Sequence, residues 1–219
     1  MSYLRLVAGL KANETILDIG CGCGLMALFL RDFLDGSGRY VGVDLHRPSI
    51  RWCDSHISYE HRNFQFQYID VKSVAYNPQG KHSGESFTFP FESQSFDVIL
   101  LKSVFTHMRP KEVENYLSEI ARLLKKDGRC LATFFLLNKA QEQLATAGRN
   151  MLNFSFGSTP WRYVYKHSPE SASAYDESYI LGLLEEQKLS LRSPVRYGTW
   201  TGRHDGLSFQ DLLLIEKKW

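Results

Sequence analysis

Short apolar runs recur along the chain at spacings that predict buried strands. Each run is rich in β-branched, leucine or aromatic side chains and is bounded by glycine, proline or polar residues. The predicted strands cover residues 15–19, 40–45, 64–71, 96–101 and 130–136.

Helical patterns separate these strands. Residues 25–34 and 49–59 have helical composition, and the clearest helix begins at Pro110, which suits a first turn. Two lysines followed by Gly128 predict its C-terminal cap. The apolar face of this helix comprises Val113, Tyr116, Leu117, Ile120, Ala121 and Leu124.

The remaining segments complete an alternating pattern. Residues 76–90 are polar and broken by proline and glycine, so we predict a loop insertion, and residues 138–174 are predicted to be irregular and aromatic. A helix over 179–189 precedes two late strands, 189–197 and 208–216. Because strands and helices alternate, the sequence predicts an α/β fold with a parallel sheet and covering helices.

Composition narrows the setting of this fold. The 219 residues fit one domain, 1–219, with 26 basic against 24 acidic residues and a formal net charge of +2. This balance gives no electrostatic reason to expect a nucleic-acid or membrane partner. The four cysteines form no disulfide framework, no apolar run reaches membrane-spanning length, and no signal peptide opens the chain. We therefore expect a cytoplasmic protein.

The segment after the first strand carries the most specific chemistry. Asp18 lies near the strand end, and glycines follow at positions 20, 22 and 24. Glycines permit positive φ and close backbone approach to a ligand, and the next helix N-terminus favours a carboxylate or phosphate. Asp44, at the end of the second strand, can accept protons from ribose hydroxyls. The segment therefore predicts an adenosine-type ligand.

Two such ligands fit the glycine pattern. Residues 22–27 also match the dinucleotide pattern G-x-G-x-x-A, with Asp44 as the acid for the ribose of NAD. Asp18 separates the two, because a buried negative charge beside the turn repels a pyrophosphate but suits an ammonium or sulfonium group. S-adenosylmethionine combines that cation with a carboxylate and a ribose.

Several motifs, taken in order, resemble the class I S-adenosylmethionine-dependent methyltransferases, in particular the bacterial small-molecule type. The glycine segment resembles their motif I, and the resemblance extends over most of the chain. It implies a Rossmann-like, doubly wound fold with a seven-stranded, mostly parallel sheet and an antiparallel C-terminal hairpin. The other matching segments are residues 40–45, 68–71, 89–91, 95–99, 103–108, 120–128 and 202–215.

The resemblance also implies a set of cofactor-binding residues. The methionine half of S-adenosylmethionine would lie against Asp18, Gly20, Cys21, Gly22 and Gly24. The ribose would bind Asp44 and Leu45, and the adenine Asp70 and Val71. Lys102 and Ser103 would border the methyl donor through their backbone carbonyls.

The chain departs from the common short form of the family at two places. Residues 76–86 are extra polar residues between Asp70 and Phe89. The first strand begins close to Met1, so we expect the chain to lack an N-terminal helix that related proteins carry.

His107 is the candidate general base for the acceptor. It follows the fourth strand, at the carboxyl edge where ligands bind in such sheets, and a neutral imidazole can take a hydroxyl proton. The alternative is a histidine that orders the helix start at Pro110.

Residues 138–178 are predicted to form a lid over the acceptor. Aromatic side chains offer large contact areas with polar tips, and arginines suit anionic groups; packing of the segment onto the sheet is the alternative. The acceptor-binding candidates are Phe154, Trp161, Tyr163, Tyr165, His167 and Arg203.

The position after the fourth strand also bears on the acceptor atom. Residues 101–104 (Leu-Lys-Ser-Val) lack the Asn/Asp-Pro-Pro-aromatic motif of methyltransferases that act on base amino groups. This favours an oxygen, or a simple amine, of a small molecule or glycan. No metal is expected, because Cys53, His56 and His61 match no common zinc spacing. An NAD-dependent oxidoreductase and a non-catalytic nucleotide-binding relative remain the alternatives.

Overall fold

The structure, a computed structural model, describes residues 7–146 and 148–218. Its helices are α1 (Leu25–Leu30), α2 (Arg47–Cys53, continued by the π-helical turn Asp54–Ser58), α3 (Pro110–Leu123), α4 (Lys139–Thr146) and α5 (Glu177–Glu186). Its strands are β1 (Thr15–Ile19), β2 (Arg39–Asp44), β3 (Phe64–Tyr68), β4 (Phe96–Leu101), β5 (Leu124–Phe134), β6 (Leu136–Leu137), β7 (Phe156–Ser158), β8 (Trp161–Tyr163), β9 (Ser173–Asp176), β10 (Leu189–Leu191) and β11 (Asp211–Lys217).

Seven strands form the main sheet in the order β10-β11-β5-β4-β1-β2-β3. The pairs among β1 to β5 are parallel, and β11 runs antiparallel to both β5 and β10. The predicted fold class is therefore confirmed: a seven-stranded, mostly parallel α/β sheet that ends in an antiparallel hairpin. None of the helices in the described ranges is long and apolar enough to cross a bilayer.

The two faces of the sheet carry separate apolar clusters. Along β1, Leu17 and Ile19 face the cluster that includes α3, whereas Ile16 faces the cluster that includes α1 and α2. This alternation follows from the two-residue period of a strand. Since β1 lies between β2 and β4, its carboxyl end sits at the centre of the edge where ligands bind in such sheets.

The segment predicted to be irregular contains a second sheet. Within residues 138–174 the chain forms α4, β7 and β8, and the strands β6, β9, β8 and β7 pair in that order. These strands are only two to four residues long, too short to show a strand period in the sequence.

The predicted cap at Gly128 is also wrong. α3 ends at Leu123, and the chain enters β5 at once, because Leu124 already has extended backbone angles. Lys125 therefore lies on a strand, where its Nζ is 2.8 Å from Asp97 Oδ2, rather than on a helix end.

Gly24 begins α1 in a conformation that other residues resist. Its φ is +78°, and an added Cβ would lie 2.7 Å from Ile57 Cδ1 and 2.9 Å from Cys53 Sγ. We expect Gly24→Ala to lower the free energy of unfolding by about 2 kcal/mol or more, from backbone strain and overpacking. Urea denaturation measures this change.

The matched control is Gly182→Ala in α5, where nothing lies within 4 Å of an added Cβ. This substitution should raise the free energy of unfolding by about 0.5–1 kcal/mol, because alanine suits a helix interior better than glycine. Equal effects of the two substitutions would contradict the packing role of Gly24.

Candidate active site

A cavity of about 520 Å³ opens at the carboxyl ends of β1 to β4. A cavity of this size suits a small-molecule ligand. Its lining comprises Ile19, Gly20, Gly22, Asp44, Leu45, His46, Ser49, Ile69, Val71, Lys72, Ser73, Tyr76, Ser103, Val104, His107, Met108, Glu112, Tyr116 and Glu170.

The bend after β1 is held by hydrogen bonds to β2. Gly20 N donates to Val43 O at 2.8 Å, and Gly22 N donates to Asp44 Oδ2 at 2.7 Å. The other Asp44 oxygen, Oδ1, accepts from His46 N at 2.7 Å. Both oxygens of this carboxylate are thereby oriented at the cavity edge.

Glycine is required in the bend for two different reasons. At Gly20, whose φ is +78°, an added Cβ would lie 2.5 Å from Val104 Cγ2. At Gly22, whose φ is +54°, the space around the same position is open to 4 Å. Gly22 therefore leaves a free surface at which a ligand can approach the backbone.

The wall on the β4 side is held by a polar network. Ser103 has a φ of +58°, which is uncommon for a serine. Its N donates to Thr133 Oγ1 at 2.8 Å, and its Oγ donates to Gln210 Oε1 at 2.9 Å. These bonds from β5 and from the residue before β11 hold the Ser103 backbone in place.

His107 lies in the cavity wall with one ring nitrogen engaged. Its Nδ1 is 2.8 Å from the backbone oxygen of Glu170. Because a carbonyl can only accept, Nδ1 carries the proton in the neutral ring and Nε2 keeps a lone pair. The edge of the His107 ring also packs against Tyr76, with ring centroids 5.6 Å apart.

Glu170 joins the two segments that cover this end of the cavity. Its side chain is buried; Oε1 accepts from Arg109 Nε at 2.9 Å, and Oε2 accepts from Val74 N at 3.3 Å. The turn Pro169–Ser171 is thus tied to the loop after β3 and to the residue before α3.

The structure buries Asp18 inside the protein. The prediction that its carboxylate lies beside the bend and faces a ligand cation is therefore wrong. Its side chain is 1% exposed and accepts a hydrogen bond from Tyr40 Oη at 2.5 Å. Strand alternation directs it to the α1 and α2 side of the sheet, whereas Ile19 lines the cavity. Asp18 therefore does not face a ligand cation, and it does not separate the two candidate ligands.

Asp70 also lies outside the cavity wall. Its Oδ1 accepts hydrogen bonds from Tyr68 Oη at 2.7 Å and from Asn77 Nδ2 at 3.3 Å. These bonds, with Tyr68 the larger cause, lower the pKa of this half-buried carboxyl. The Asp70 side chain does not line the cavity, whereas its neighbour Val71 does, so the implied contact between Asp70 and adenine stays a prediction.

Three further residues of the implied set are not in the cavity lining. Cys21 and Gly24 are buried beneath the bend, against Gly42 and against Ile57 respectively. Lys102 is exposed and borders a separate small space beside Met26. The residues of the set that do reach the cavity wall are Gly20, Gly22, Asp44, Leu45, Val71 and Ser103.

None of the predicted acceptor-binding residues lines the cavity. Phe154 packs in a cluster with Phe135 and Trp200, and Arg203 pairs with Asp205. Trp161 and Tyr163 belong to β8 in the second sheet, and Tyr165 and His167 are exposed. Packing accounts for Phe154, Trp161 and Tyr163, whereas Tyr165 and His167 face solvent.

The cavity contains residues that the sequence analysis missed. Glu112 and Tyr116 lie on α3, where the apolar pattern marks Tyr116 as a core position and Glu112 as a surface position. Glu170 arrives from a distant segment with no motif of its own. Glu112 Oε2 accepts from the N-cap backbone N–H of Arg109, but the sequence did not reveal this contact, because Arg109 is not the Ser or Thr that marks a helix capping box.

Burial raises the pKa of Asp18 from 3.8 to about 7. Below pH 3.8 both folded and unfolded states hold this proton, whereas between pH 4 and 7 only the folded state does. The free energy of unfolding therefore falls as pH rises through this window. Relative to Asp18→Asn, we expect the wild-type protein to lose about 4 kcal/mol between pH 4 and pH 8.

Urea denaturation across that pH range measures the difference. The control is Asp205→Asn: Arg203 lowers the pKa of exposed Asp205 below 3.8, so its contribution to stability changes below about pH 4 and the difference between wild type and Asp205→Asn should stay nearly constant from pH 4 to pH 8. If the free energies of unfolding of the wild-type protein and Asp18→Asn differ by the same amount at all pH values, Asp18 is not a buried, protonated group.

The comparisons with known proteins agree with this architecture. A family model described as a methyltransferase domain matches residues 17–132, which run from β1 into β5. A demethylmenaquinone methyltransferase of Lactobacillus johnsonii is 28% identical over 119 residues, which are 54% of this chain and 43% of that enzyme. The chain thus spans less than half the length of this relative.

Two solved structures share the whole fold. An S-adenosylmethionine-dependent methyltransferase from Methanosarcina mazei has a TM-score of 0.64 at 19% identity and covers 97% of this chain and 96% of its own. The 1,6-didemethyltoxoflavin-N1-methyltransferase of Burkholderia thailandensis, solved with S-adenosylhomocysteine, has a TM-score of 0.61 at 18% identity, with coverages of 99% and 75%. The family model spans more than half of the chain and includes the glycine bend, Asp44 and His107. The chain therefore belongs to the methyltransferase domain family, and its resemblance to the class I S-adenosylmethionine-dependent methyltransferases is confirmed.

Proposed function

We propose that this protein transfers the methyl group of S-adenosylmethionine to an oxygen of a small-molecule or glycan acceptor. The observation that carries the proposal is the open glycine bend beside the oriented Asp44 carboxylate, in a chain of this family. When bound, S-adenosylmethionine supplies a methyl group that its sulfonium already activates.

The cavity walls fit such a cofactor. Gly20 and Gly22 offer close backbone approach, and Asp44 offers carboxylate lone pairs for ribose hydroxyls. Leu45, Ile69 and Val71 provide apolar surface for an aromatic base. These residues bind and orient the cofactor, and alignment of the reacting groups supplies much of the rate in a displacement reaction.

His107 would hold the acceptor proton. Its Nδ1–H donates to the backbone oxygen of Glu170, so the Nε2 lone pair is available to a hydroxyl in the same cavity. This geometry favours an oxygen acceptor, because a hydroxyl loses its proton on methylation. Asp18 no longer counts against the NAD-dependent alternative, but the family model that matches this chain is a methyltransferase domain, which supports S-adenosylmethionine instead.

The first test is cofactor binding. Isothermal titration with S-adenosylhomocysteine should give saturable binding, and Asp44→Ala should weaken it at least tenfold, a loss of about 1.4 kcal/mol. Asp70→Ala is the matched control: because Asp70 does not line the cavity, its affinity should stay within about twofold of the wild-type value.

Absence of binding at hundreds of micromolar ligand would overturn the proposal as a whole. If Asp44→Ala and Asp70→Ala weaken the affinity for S-adenosylhomocysteine equally, the result would support the adenine contact that the family resemblance implies for Asp70.

The second test concerns turnover. The protein is incubated with S-adenosylmethionine and a panel of phenols, sugar alcohols and amines, and formation of S-adenosylhomocysteine is measured. His107→Gln should slow transfer to the best hydroxyl acceptor by about 10²–10⁴-fold while leaving S-adenosylhomocysteine affinity within about twofold. His82→Gln, an exposed histidine outside this cavity, is the control. Unchanged turnover in His107→Gln would leave His107 with a structural role only.

A further inference from the structure

Two polar side chains on one side of α3 line the cavity, and each has an oxygen atom without a hydrogen-bond partner in residues 7–146 and 148–218. Glu112 and Tyr116 are one helical turn apart, and both belong to the cavity wall. Glu112 Oε2 accepts from Arg109 N at 2.7 Å, but Oε1 accepts from no residue within 7–146 or 148–218. The side chain of Tyr116 is only 3% exposed, and its hydroxyl has no partner in the same ranges.

The Glu112 carboxylate is held in place from two sides. The capping box of α3 fixes one oxygen, and a Cβ added at Gly84 would lie 2.8 Å from the other. The loop at Gly84 is itself docked on α3, since Asn115 Nδ2 donates to Gly84 O at 3.0 Å and to Phe87 O at 2.9 Å. This group is therefore preorganised rather than a freely moving surface side chain.

Glu112 is also the cavity carboxylate with an unused oxygen. Asp44 accepts from two backbone N–H groups, and Glu170 is engaged by Arg109 and Val74. Burial raises the pKa of Glu112, with the nearby Glu170 adding to the rise, and burial also raises the pKa of Tyr116. A half-buried oxygen without a hydrogen-bond partner is stabilised most by a ligand that brings N–H donors.

We propose that Glu112 and Tyr116 form a subsite for an amino group of a ligand, with Glu112 Oε1 and Tyr116 Oη accepting its N–H bonds. The inference rests on the proposed function. Two sources supply this chemistry. One source is the amino group of the cofactor adenine. The family resemblance assigns that group to Asp70, but the Asp70 side chain does not line the cavity. The other source is an amine on the acceptor.

The first arm of the experiment tests the adenine. Affinities for S-adenosylhomocysteine and S-inosylhomocysteine, which has a carbonyl in place of the amino group, are measured by isothermal titration. If adenine occupies the subsite, the wild-type protein prefers the adenosine compound about tenfold or more. Glu112→Gln, which keeps the capping box, should reduce this preference to about threefold or less, and Tyr116→Phe should reduce it less strongly.

The second arm tests the acceptor on protein saturated with S-adenosylhomocysteine. The probes share one skeleton: tyramine, 2-(4-hydroxyphenyl)ethanol and 4-hydroxyphenylacetate. If an acceptor amine occupies the subsite, tyramine binds about tenfold more tightly than the alcohol, and the carboxylate binds most weakly. Glu112→Gln should then remove the preference for tyramine without changing the affinity for S-adenosylhomocysteine.

Glu114→Gln is the matched control, because Glu114 is exposed on the same helix and does not line the cavity. It should leave both preferences unchanged. The inference is overturned if Glu112→Gln alters neither preference, or if tyramine shows no binding at about 10 mM and the two nucleosides bind equally. Failure of the wild-type protein to bind S-adenosylhomocysteine at all would instead count against the proposed function.

Discussion

The site depends on the Asp44 carboxylate, which joins the ends of two parallel strands. Asp44 accepts from Gly22 N and from His46 N, both at 2.7 Å, so it orders the bend after β1 and the turn after β2 together. Hydrogen bonds to a charged acceptor are the stronger ones in proteins. The space around Gly22 is open, so no side chain packs on the bend there. The carboxylate of Asp44, from the neighbouring strand β2, holds the bend through its hydrogen bond with Gly22 N.

The sequence predicted the main sheet well because its signals are local. Buried strands show as short apolar runs, and glycines after β1 mark a bend that needs positive φ. The same local signals placed Gly20, Gly22 and Asp44 at the carboxyl edge, where the cavity lies, and the family resemblance added Val71 and Ser103. The prediction failed for the second sheet, because its strands are too short to show a pattern of their own and β6 pairs with β9, which lies far along the chain.

The direction of each side chain was the second feature that the sequence could not predict. A motif fixes which residue follows a strand, but the pleat decides which face it joins, and Asp18 joins the face of Ile16 and Tyr40. Glu170 shows the opposite case, since no pattern in 138–174 distinguishes it, and only the folded chain brings it to His107. Aromatic residues of the same segment are conspicuous in the sequence, yet Phe154 packs against Trp200 and Trp161 against Tyr163, and the contact with His107 is made by the backbone oxygen of Glu170.

The polar insertion 76–86 explains how the wall of the cavity differs from the one expected. Asn77 donates to Asp70 Oδ1, to Tyr68 Oη and to Val71 O, and so holds Asp70 on the outer side of the loop. The same loop carries Tyr76 to His107 and sets Gly84 against Glu112. One loop therefore holds the Asp70 carboxylate outside the cavity and packs against the Glu112 carboxylate in its wall. In the proposed subsite, the acid in the cavity wall is therefore set by how the loop packs on α3, more than by which acid follows the third strand.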